Sequence, residues 1–336
     1  MTLGKLRPIL PYVVFAVILA VLPYVFDATP FFTVSTAVQM AIMSIATLGL
    51  VLLMGQAGQI SIGQAAFFGI GAFSSAILTT RWEIAPLWAC VVGMVIAGVI
   101  AWVVGLAIFR VRGHYLALAT IAFGLSLSYL ARQLEITGGA SGILGIPSIE
   151  IGNLVLFDDL SFYYLAAIIL LICLILTHNL TRSMFGRSLL AVGDSEIAAD
   201  SVGINTAKQK RGIFVIAAVL ASLAGSLQAH WVTFIDYHTL DLLLSIEILI
   251  MAAVGGLVTV WGAPVGAFIV IALSRAAKET IPSLFPNVGG QYEIVVYGIA
   301  LIIVLLYLPN GVAGTIRDVI SARLRSRTTP ASREPA

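Results

Sequence analysis

The chain has 336 residues, of which 60% are hydrophobic and only 10% are charged, and its mean hydropathy is +1.05. Since a soluble domain carries roughly a quarter charged residues, this composition excludes a water-soluble globule and predicts a protein whose apolar surface faces lipid. The formal net charge of +2 gives no indication of nucleic-acid binding. Cys90 and Cys173 lie in apolar runs, which indicates buried packing residues rather than a disulfide framework.

Ten apolar stretches are candidate membrane-spanning helices, because about 20 mostly apolar residues cross a bilayer and shorter ones suffice where protein covers their ends. In chain order they are residues 9–26, 38–54, 65–80, 87–109, 115–130, 162–178, 213–231, 242–257, 263–276 and 294–308. The third, fifth, eighth, ninth and tenth are short. The sequence therefore predicts an all-α polytopic membrane protein with eight to ten transmembrane helices.

The basic residues orient these spans, since Lys and Arg concentrate in short cytoplasmic loops. With ten spans and a cytoplasmic N-terminus, fourteen of the eighteen basic residues fall on the cytoplasmic side. The exceptions are Arg81, Arg132, Arg275 and Lys278. We therefore expect an inner-membrane protein with both termini in the cytoplasm.

The same orientation divides the chain into a transmembrane domain and a tail. The domain covers residues 1–320, with a periplasmic loop at 131–161 and a cytoplasmic loop at 181–211. The first apolar stretch has no small-residue cleavage site after it, so we expect a retained anchor. Residues 321–336 are rich in Arg, Ser and Pro without apolar periodicity, which predicts a disordered cytoplasmic tail.

Residues 55–64, which we call the polar break, interrupt the apolar pattern with three glutamines and three glycines. Polar groups at membrane depth face a cavity or another helix, because lipid offers no hydrogen bonds, and transporters use broken helices to line a substrate path. We expect Gln56, Gln59, Ser61 and Gln64 to line a translocation path. Close helix packing through the glycines is the alternative, and it requires no substrate.

A second interrupted stretch, 255–268, loosely echoes residues 69–73, and such pairs indicate internal repeats around a central site. Just before it, Glu247 is an acidic residue deep inside the apolar run 242–249. An intramembrane carboxylate is a functional candidate, so Glu247 is a further candidate for the path. A structural hydrogen bond to a neighbouring helix is the alternative.

Two loops carry further candidate residues. Thr137, Gly138, Gly139 and Gly142 begin a polar loop whose glycine-rich flexibility suits an external gate or a docking surface, or a plain connector. On the other side of the membrane, residues 186–205 predict a short helix with an apolar stripe of Leu189, Leu190, Val192 and Ile197.

Within that second loop, Asp194 is the candidate N-cap of a further helical segment, and Gly203 is its expected end, where a left-handed turn disfavours a side chain. Such a helix is too polar to span the membrane and too short to be a domain. It either binds a partner's groove or lies on the membrane surface.

The cytoplasmic loop resembles the coupling loop of ATP-binding-cassette importer permeases. The matching residues are Gly186, Arg187, Glu196, Ala198, Ala199 and Gly203. Ile197 stands between Glu196 and the two alanines, and the later Leu-Pro of the loop is absent, a variant found in the branched-chain amino acid permease family. Further motifs resembling this family lie at residues 58–64, 112–117, 137–142, 244–247, 255–256 and 309–314. In detail, the chain resembles the longer of the two permease subunits.

This resemblance implies an ABC-importer permease fold with broken helices, and a subunit that is not itself an enzyme. It implies half of a translocation pathway for branched-chain or related amino acids, completed by a second permease subunit. It also implies a periplasmic binding protein, which the Thr137–Gly142 loop would contact, and two cytoplasmic ATPase subunits, which would hold ATP and Mg²⁺. The chain has no Gly-x-x-x-x-Gly-Lys-Ser/Thr loop and no metal-ligand cluster, so we expect no cofactor on it.

The rival hypothesis is an ion-coupled secondary transporter of small polar solutes. Glu247 and the polar break would supply its intramembrane carboxylate and discontinuous helix, whereas the coupling-type loop argues against it. A membrane enzyme that uses His114 or Glu247 is disfavoured because these residues are isolated. Within the importer hypothesis, the substrate stays open among amino acids, amides, urea and small acids.

Overall fold

The computed structural model describes residues 10–27, 32–109, 114–151, 154–155, 158–284, 298–299 and 311–315. Within them the protein has these helices: α1 Leu10–Asp27, α2 Val34–Val51, α3 Gln64–Arg81, α4 Pro86–Ile108, α5 His114–Gln133, α6 Asp159–Arg182, α7 Met184–Asp194, α8 Glu196–Ser201, α9 Thr206–Val232, α10 Leu242–Gly255 and α11 Gly262–Leu284. A π-helical turn, Leu52–Gln56, continues α2, and short 3₁₀ turns occupy Glu135–Thr137, Gly139–Ser141 and Tyr237–Leu240. Two antiparallel ribbons pair β1 Ile143–Leu144 with β4 Phe234–Ile235, and β2 Glu150–Ile151 with β3 Leu154–Val155.

Nine of the ten predicted spans have a helix at their place. The tenth, 294–308, lies outside the described residues except for 298–299. Among the described helices, α2 with its π-turn, α4, α5, α6 and α9 are long and apolar enough to cross a membrane, and α1 and α10 are shorter apolar helices. The prediction of an all-α polytopic membrane protein is confirmed, and the predicted tail 321–336 lies outside the described residues.

Helix α2 occupies the centre of the bundle, with 15 of its 18 residues buried. It packs against α6, α9, α10 and α11, so it is apolar all round, as a helix enclosed by other helices should be. Helix α9 packs beside it and also contacts α3 and α4. In the first half of α9, Phe214 makes edge-on contacts with Phe67 and Phe109, at 5.3 and 5.4 Å between ring centroids.

Helices α3 and α9 cross with almost no side chain between them. A Cβ on Gly71 would clash with the backbone of Ser222, and one on Gly225 would clash with the carbonyl oxygen of Phe68. The close approach lets the Ser226 hydroxyl donate a 3.0 Å hydrogen bond to the carbonyl oxygen of Gly71. Small residues commonly create such contacts where helices meet inside a membrane. At these positions the glycines serve helix packing.

Candidate functional site

The polar break separates α2 from α3. After the π-turn the chain is non-helical from Gly58 to Gly63, and Gly58 has φ +62°, a left-handed conformation that glycine adopts without steric cost. A Cβ on Gly55 would clash with the carbonyl oxygen of Leu257, between α10 and α11. The two interrupted segments identified in the sequence are therefore in direct backbone contact.

Two hydroxyl groups from other helices accept hydrogen bonds from backbone N–H groups, one in the break and one at the start of α3. The N–H of Ile62 donates to Thr120 Oγ1 of α5 over 3.1 Å. The N–H of Ala65, in the first turn of α3, donates to Ser245 Oγ of α10 over 2.9 Å. The first N–H groups of a helix have no intrahelical partner, and Gly63 at the N-cap has no side chain to supply one. Helices α5 and α10 thus hold the break at membrane depth.

Sequence reasoning gave neither Thr120 nor Ser245 a role of its own. Each is a hydroxyl residue inside an apolar helix, and Ser245 also lies in the motif at 244–247; these are the sequence signals that could have singled them out.

The glutamines of the break are closed off from solvent. Gln64 is 1% exposed, and its Nε2 donates a 3.0 Å hydrogen bond to the carbonyl oxygen of Ala217 in α9. The Nε2 of Gln59 donates over 2.9 Å to the carbonyl oxygen of Ala57, within the break itself. Gln56 is also buried. In this conformation Gln64 joins two helices of the same chain, whereas Gln59 bonds only locally.

Ser61 and Glu247 differ from the glutamines. Ser61 is 2% exposed, and its hydroxyl has no hydrogen-bond partner among the described residues. Glu247 is half-buried and lies two residues after Ser245 on α10, so the two side chains leave the helix about 200° apart. The structure therefore gathers Gln56, Gln59, Ser61 and Gln64 in one segment and places Glu247 on a different face from the hydroxyl that caps α3.

The segment α7–α8, Met184–Ser201, connects α6 to α9 and replaces most of the predicted cytoplasmic loop. Serines cap both helices, since Ser183 Oγ accepts from the N–H of Gly186 at 3.2 Å and Ser195 Oγ accepts from that of Ala198 at 3.3 Å. The prediction that Asp194 is an N-cap is wrong by one residue. Asp194 is the last residue of α7, and the extended backbone of Ser195, with φ −160°, brings the serine hydroxyl to the start of α8.

Gly203 ends this segment as predicted. Its φ is +84°, and the N–H groups of Gly203 and Ile204 donate back to the carbonyl oxygens of Asp200 and Ala199, each over 3.0 Å. At the other end, a Cβ on Gly186 would clash with the carbonyl oxygen of Thr181, so the corner between α6 and α7 requires glycine. Both turns fix the direction in which the chain enters and leaves the segment.

The predicted apolar stripe divides in two. Leu189 and Val192 are each 1% exposed because α7 packs against α6, α9 and the π-turn, so their assignment to a surface for a partner is wrong. Ile197 is 83% exposed on α8, and Val202, just beyond it, is 74% exposed. Leu190, the remaining residue of the stripe, is 43% exposed on α7, and Met184 at the start of α7 is 80% exposed. The outward apolar surface therefore lies on α7 as well as on and next to α8.

The charged residues of this segment interact with their own chain. Glu196 forms an ion pair with Lys210 of α9, whose side chain is buried, which fastens α8 to the start of α9. The Nη1 of Arg187 donates to the carbonyl oxygen of Arg182 at 3.0 Å. Of the two predicted alanines, Ala199 is buried and Ala198 is exposed.

The loop after α5 is tied down rather than loose. Thr137 Oγ1 donates to the carbonyl oxygen of Leu134 over 2.7 Å, and Gly138, Gly139 and Gly142 all have positive φ. A Cβ on Gly138 would clash with the carbonyl of Gly142, so these glycines meet a geometrical requirement of a tight turn. Strand β1, which follows directly, pairs with β4 beyond the end of α9.

A buried histidine fastens the same loop. His230 of α9 is fully buried, and its Nδ1–H donates over 2.7 Å to the carbonyl oxygen of Pro147. Its Nε2 and the hydroxyl of Ser75 in α3 share a 2.6 Å hydrogen bond. The loop, α3 and α9 are thereby joined at one end of the bundle.

The hydrogen bond of Gln64 predicts a difference in stability between two glutamine variants. Gln64→Leu removes the link from α3 to Ala217, and we expect a loss of about 1 kcal/mol of unfolding free energy. Gln59→Leu removes only a local bond and is the matched control. Thermal unfolding of the detergent-purified protein measures both, and equal melting temperatures would contradict the structural role of Gln64.

Comparison with known proteins gives a consistent assignment. Residues 32–305 match the family described as branched-chain amino acid transport system / permease component. The chain is similar to the high-affinity branched-chain amino acid transport system permease protein LivM of Escherichia coli K12, with 27% identity over 316 residues covering 87% of this chain and 72% of that protein. The LivM protein of Salmonella typhimurium is 26% identical over 326 residues, covering 88% and 74%.

The second type of relative is the permease protein LivH of Escherichia coli K12, 25% identical over 285 residues, which cover 80% of this chain and 89% of LivH. No solved structure is significantly similar to the chain. The family match extends over most of the sequence and includes both interrupted segments and the α7–α8 segment. The chain therefore belongs to the family of permease components of branched-chain amino acid transport systems.

Proposed function

We propose that the protein is a permease subunit of an ATP-driven importer and forms half of the pathway by which branched-chain or related amino acids cross the bacterial inner membrane. The observation that carries this proposal is the family match over residues 32–305, together with the similarity to LivM and LivH relatives. The buried polar break is the segment through which substrate would pass. Its closed state fits a pathway that opens only during the transport cycle.

Helix α8 is the docking element for a cytoplasmic ATPase, which would hold ATP and Mg²⁺. Ile197 on α8 and Val202 just beyond it are exposed to solvent, and the six residues of α8 contain two acids, Glu196 and Asp200, and no base. An anionic membrane surface would repel these acids, which favours a protein partner over the surface-lying alternative. Exposed apolar side chains on a short helix suit a groove in such a partner.

The two ends of the bundle supply the two sides of the membrane. Helix α6, with 24 residues, is about 36 Å long, and it runs from the Thr137–Asp158 loop region to α7. Helix α9 returns from α8 to β4. Docking of the ATPase on α8 would thus put the loop with Thr137 and Gly142 in the periplasm, where a substrate-binding protein would contact it. The bias of Lys and Arg in the sequence supports both termini in the cytoplasm.

The second permease subunit would cover the outer face of α5. Among the five described helices that are long and apolar enough to cross a membrane, α4 and α5 are the least buried, and α5 is clearly the less hydrophobic of the two. The exposed face of α4 is apolar, as lipid requires, whereas that of α5 carries Ser126 beside Leu125 and Tyr129. Since Thr120 of the same helix holds the break, a permease packed on α5 would place the pathway near the junction of the two subunits.

The ATPase docking on α8 is tested by charging its exposed apolar residues. Ile197→Asp and Val202→Asp should each reduce the amount of ATPase that co-purifies with the permeases by more than tenfold, because burying either apolar side chain contributes about 1.5–3 kcal/mol. Leu144→Asp, at a residue that is 74% exposed at the other end of the bundle, is the matched control. Normal co-purification of both α8 variants would argue against docking on this surface.

The pairing on α5 is tested by photo-cross-linking. Leu125→Cys and Tyr129→Cys, labelled with a benzophenone maleimide, should give a cross-linked product with the co-expressed second permease. Val95→Cys and Val99→Cys on the exposed face of α4 are matched controls that should label without forming that product. Cross-links from α4 but not from α5 would contradict the proposed interface and would place it on α4 instead.

A further inference from the structure

The last turn of α7 touches the polar break through backbone atoms alone. A Cβ on Gly193 would lie 2.8 Å from the carbonyl oxygen of Gln56 and 3.4 Å from the carbonyl carbon of Ala57. The break approaches Gly193 equally closely, since a Cβ on Gly58 would lie 3.4 Å from the carbonyl oxygen of Gly193. The α7–α8 segment and the break are thus separated by no side chain at this point.

The break is also held on a second side. Gly55, within the π-turn, leaves no room for a Cβ against the carbonyl oxygen of Leu257 in the second interrupted segment. A π-turn in a helix adds a residue to the turn, and such turns are frequent at functional sites. The π-turn is therefore clamped between the second break and Gly193. Any displacement of either neighbour acts directly on its backbone.

Helix α7 is built to pass on such a displacement. Its side chains Leu189 and Val192 are buried against the bundle, and Ser195 is the single residue between α7 and α8. Glu196 then fastens α8 to Lys210. Tightly packed interiors transmit displacement instead of absorbing it, and a backbone contact has no flexible side chain that could yield.

We propose that the contact between Gly193 and the Gln56–Gly58 backbone transmits movement of α8 to the polar break, which makes Gly193 a positioning residue for coupling. This inference rests on the proposed function, in which an ATPase moves α8. A methyl group at position 193 must push the break away from α7, because the carbonyl of Gln56 belongs to the backbone. ATP hydrolysis would then continue while the break no longer follows it.

The test measures substrate uptake and ATP hydrolysis together, in proteoliposomes that hold the full complex of both permeases and the ATPases, with the binding protein and labelled leucine present. For Gly193→Ala we expect the number of leucine molecules transported per ATP to fall at least tenfold, with the ATPase still bound. Gly212→Ala is the matched control. It adds a methyl group against the other end of α7, where a Cβ would lie 3.1 Å from the Phe185 ring, and a side chain can move aside. Its ratio should equal that of the unmodified complex.

A purely structural role for Gly193 gives a different result. In that case uptake and hydrolysis fall in proportion with the yield of complex, and the ratio of leucine to ATP stays unchanged, which overturns the inference. If Gly193→Ala does not accumulate, Val192→Ala is the second variant. It weakens the packing of α7 against the bundle one residue away and should lower the ratio of leucine transported to ATP hydrolysed. An unchanged ratio in Val192→Ala likewise overturns it. If the unmodified permeases bind no ATPase, the proposed function itself fails, and the inference falls with it.

Discussion

Backbone N–H and C=O groups at membrane depth must find partners inside the protein, because hydrocarbon offers none. A non-helical segment between two helices is therefore stable in the bundle only where neighbouring helices supply the missing hydrogen bonds. Thr120 and Ser245 supply them for Ile62 and Ala65, and they come from α5 and α10. The polar break and the start of α3 both depend on these two hydroxyl contacts.

Glycine contacts set the second constraint, because they decide which backbones touch. Gly71 and Gly225 bring α3 onto α9, Gly55 brings the first break onto the second, and Gly193 brings α7 onto the first break. The consequence is a continuous series of close contacts from the exposed tip of α8 to the centre of the bundle. In this structure the glutamines of the break are buried, and the contact of Gly193 links their segment to α7.

The sequence predicted the spans well, because a window of about 20 apolar residues carries the signal locally. It did not predict the partners of the break, since both hydroxyl contacts are long-range. Ile62 and Thr120 are separated by 58 positions in the sequence, and Ala65 and Ser245 by 180. Asp194 and Ser195 are both good N-cap residues, and only the extended backbone of Ser195 decides between them. An apolar stripe at Leu189 and Val192 identified a face of α7, but the fold alone determines that the chain's own helices cover it. Gly203 was predictable because its left-handed turn is a local requirement.

The central claim is that ATP hydrolysis by a partner drives an amino acid through a pathway to which this chain contributes half. It is tested most directly by leucine accumulation in proteoliposomes that contain the complex and its binding protein. We expect accumulation that requires ATP on the ATPase side and persists when ionophores abolish the proton and sodium gradients. Accumulation that an imposed ion gradient drives without ATP would contradict it and would indicate an ion-coupled transporter.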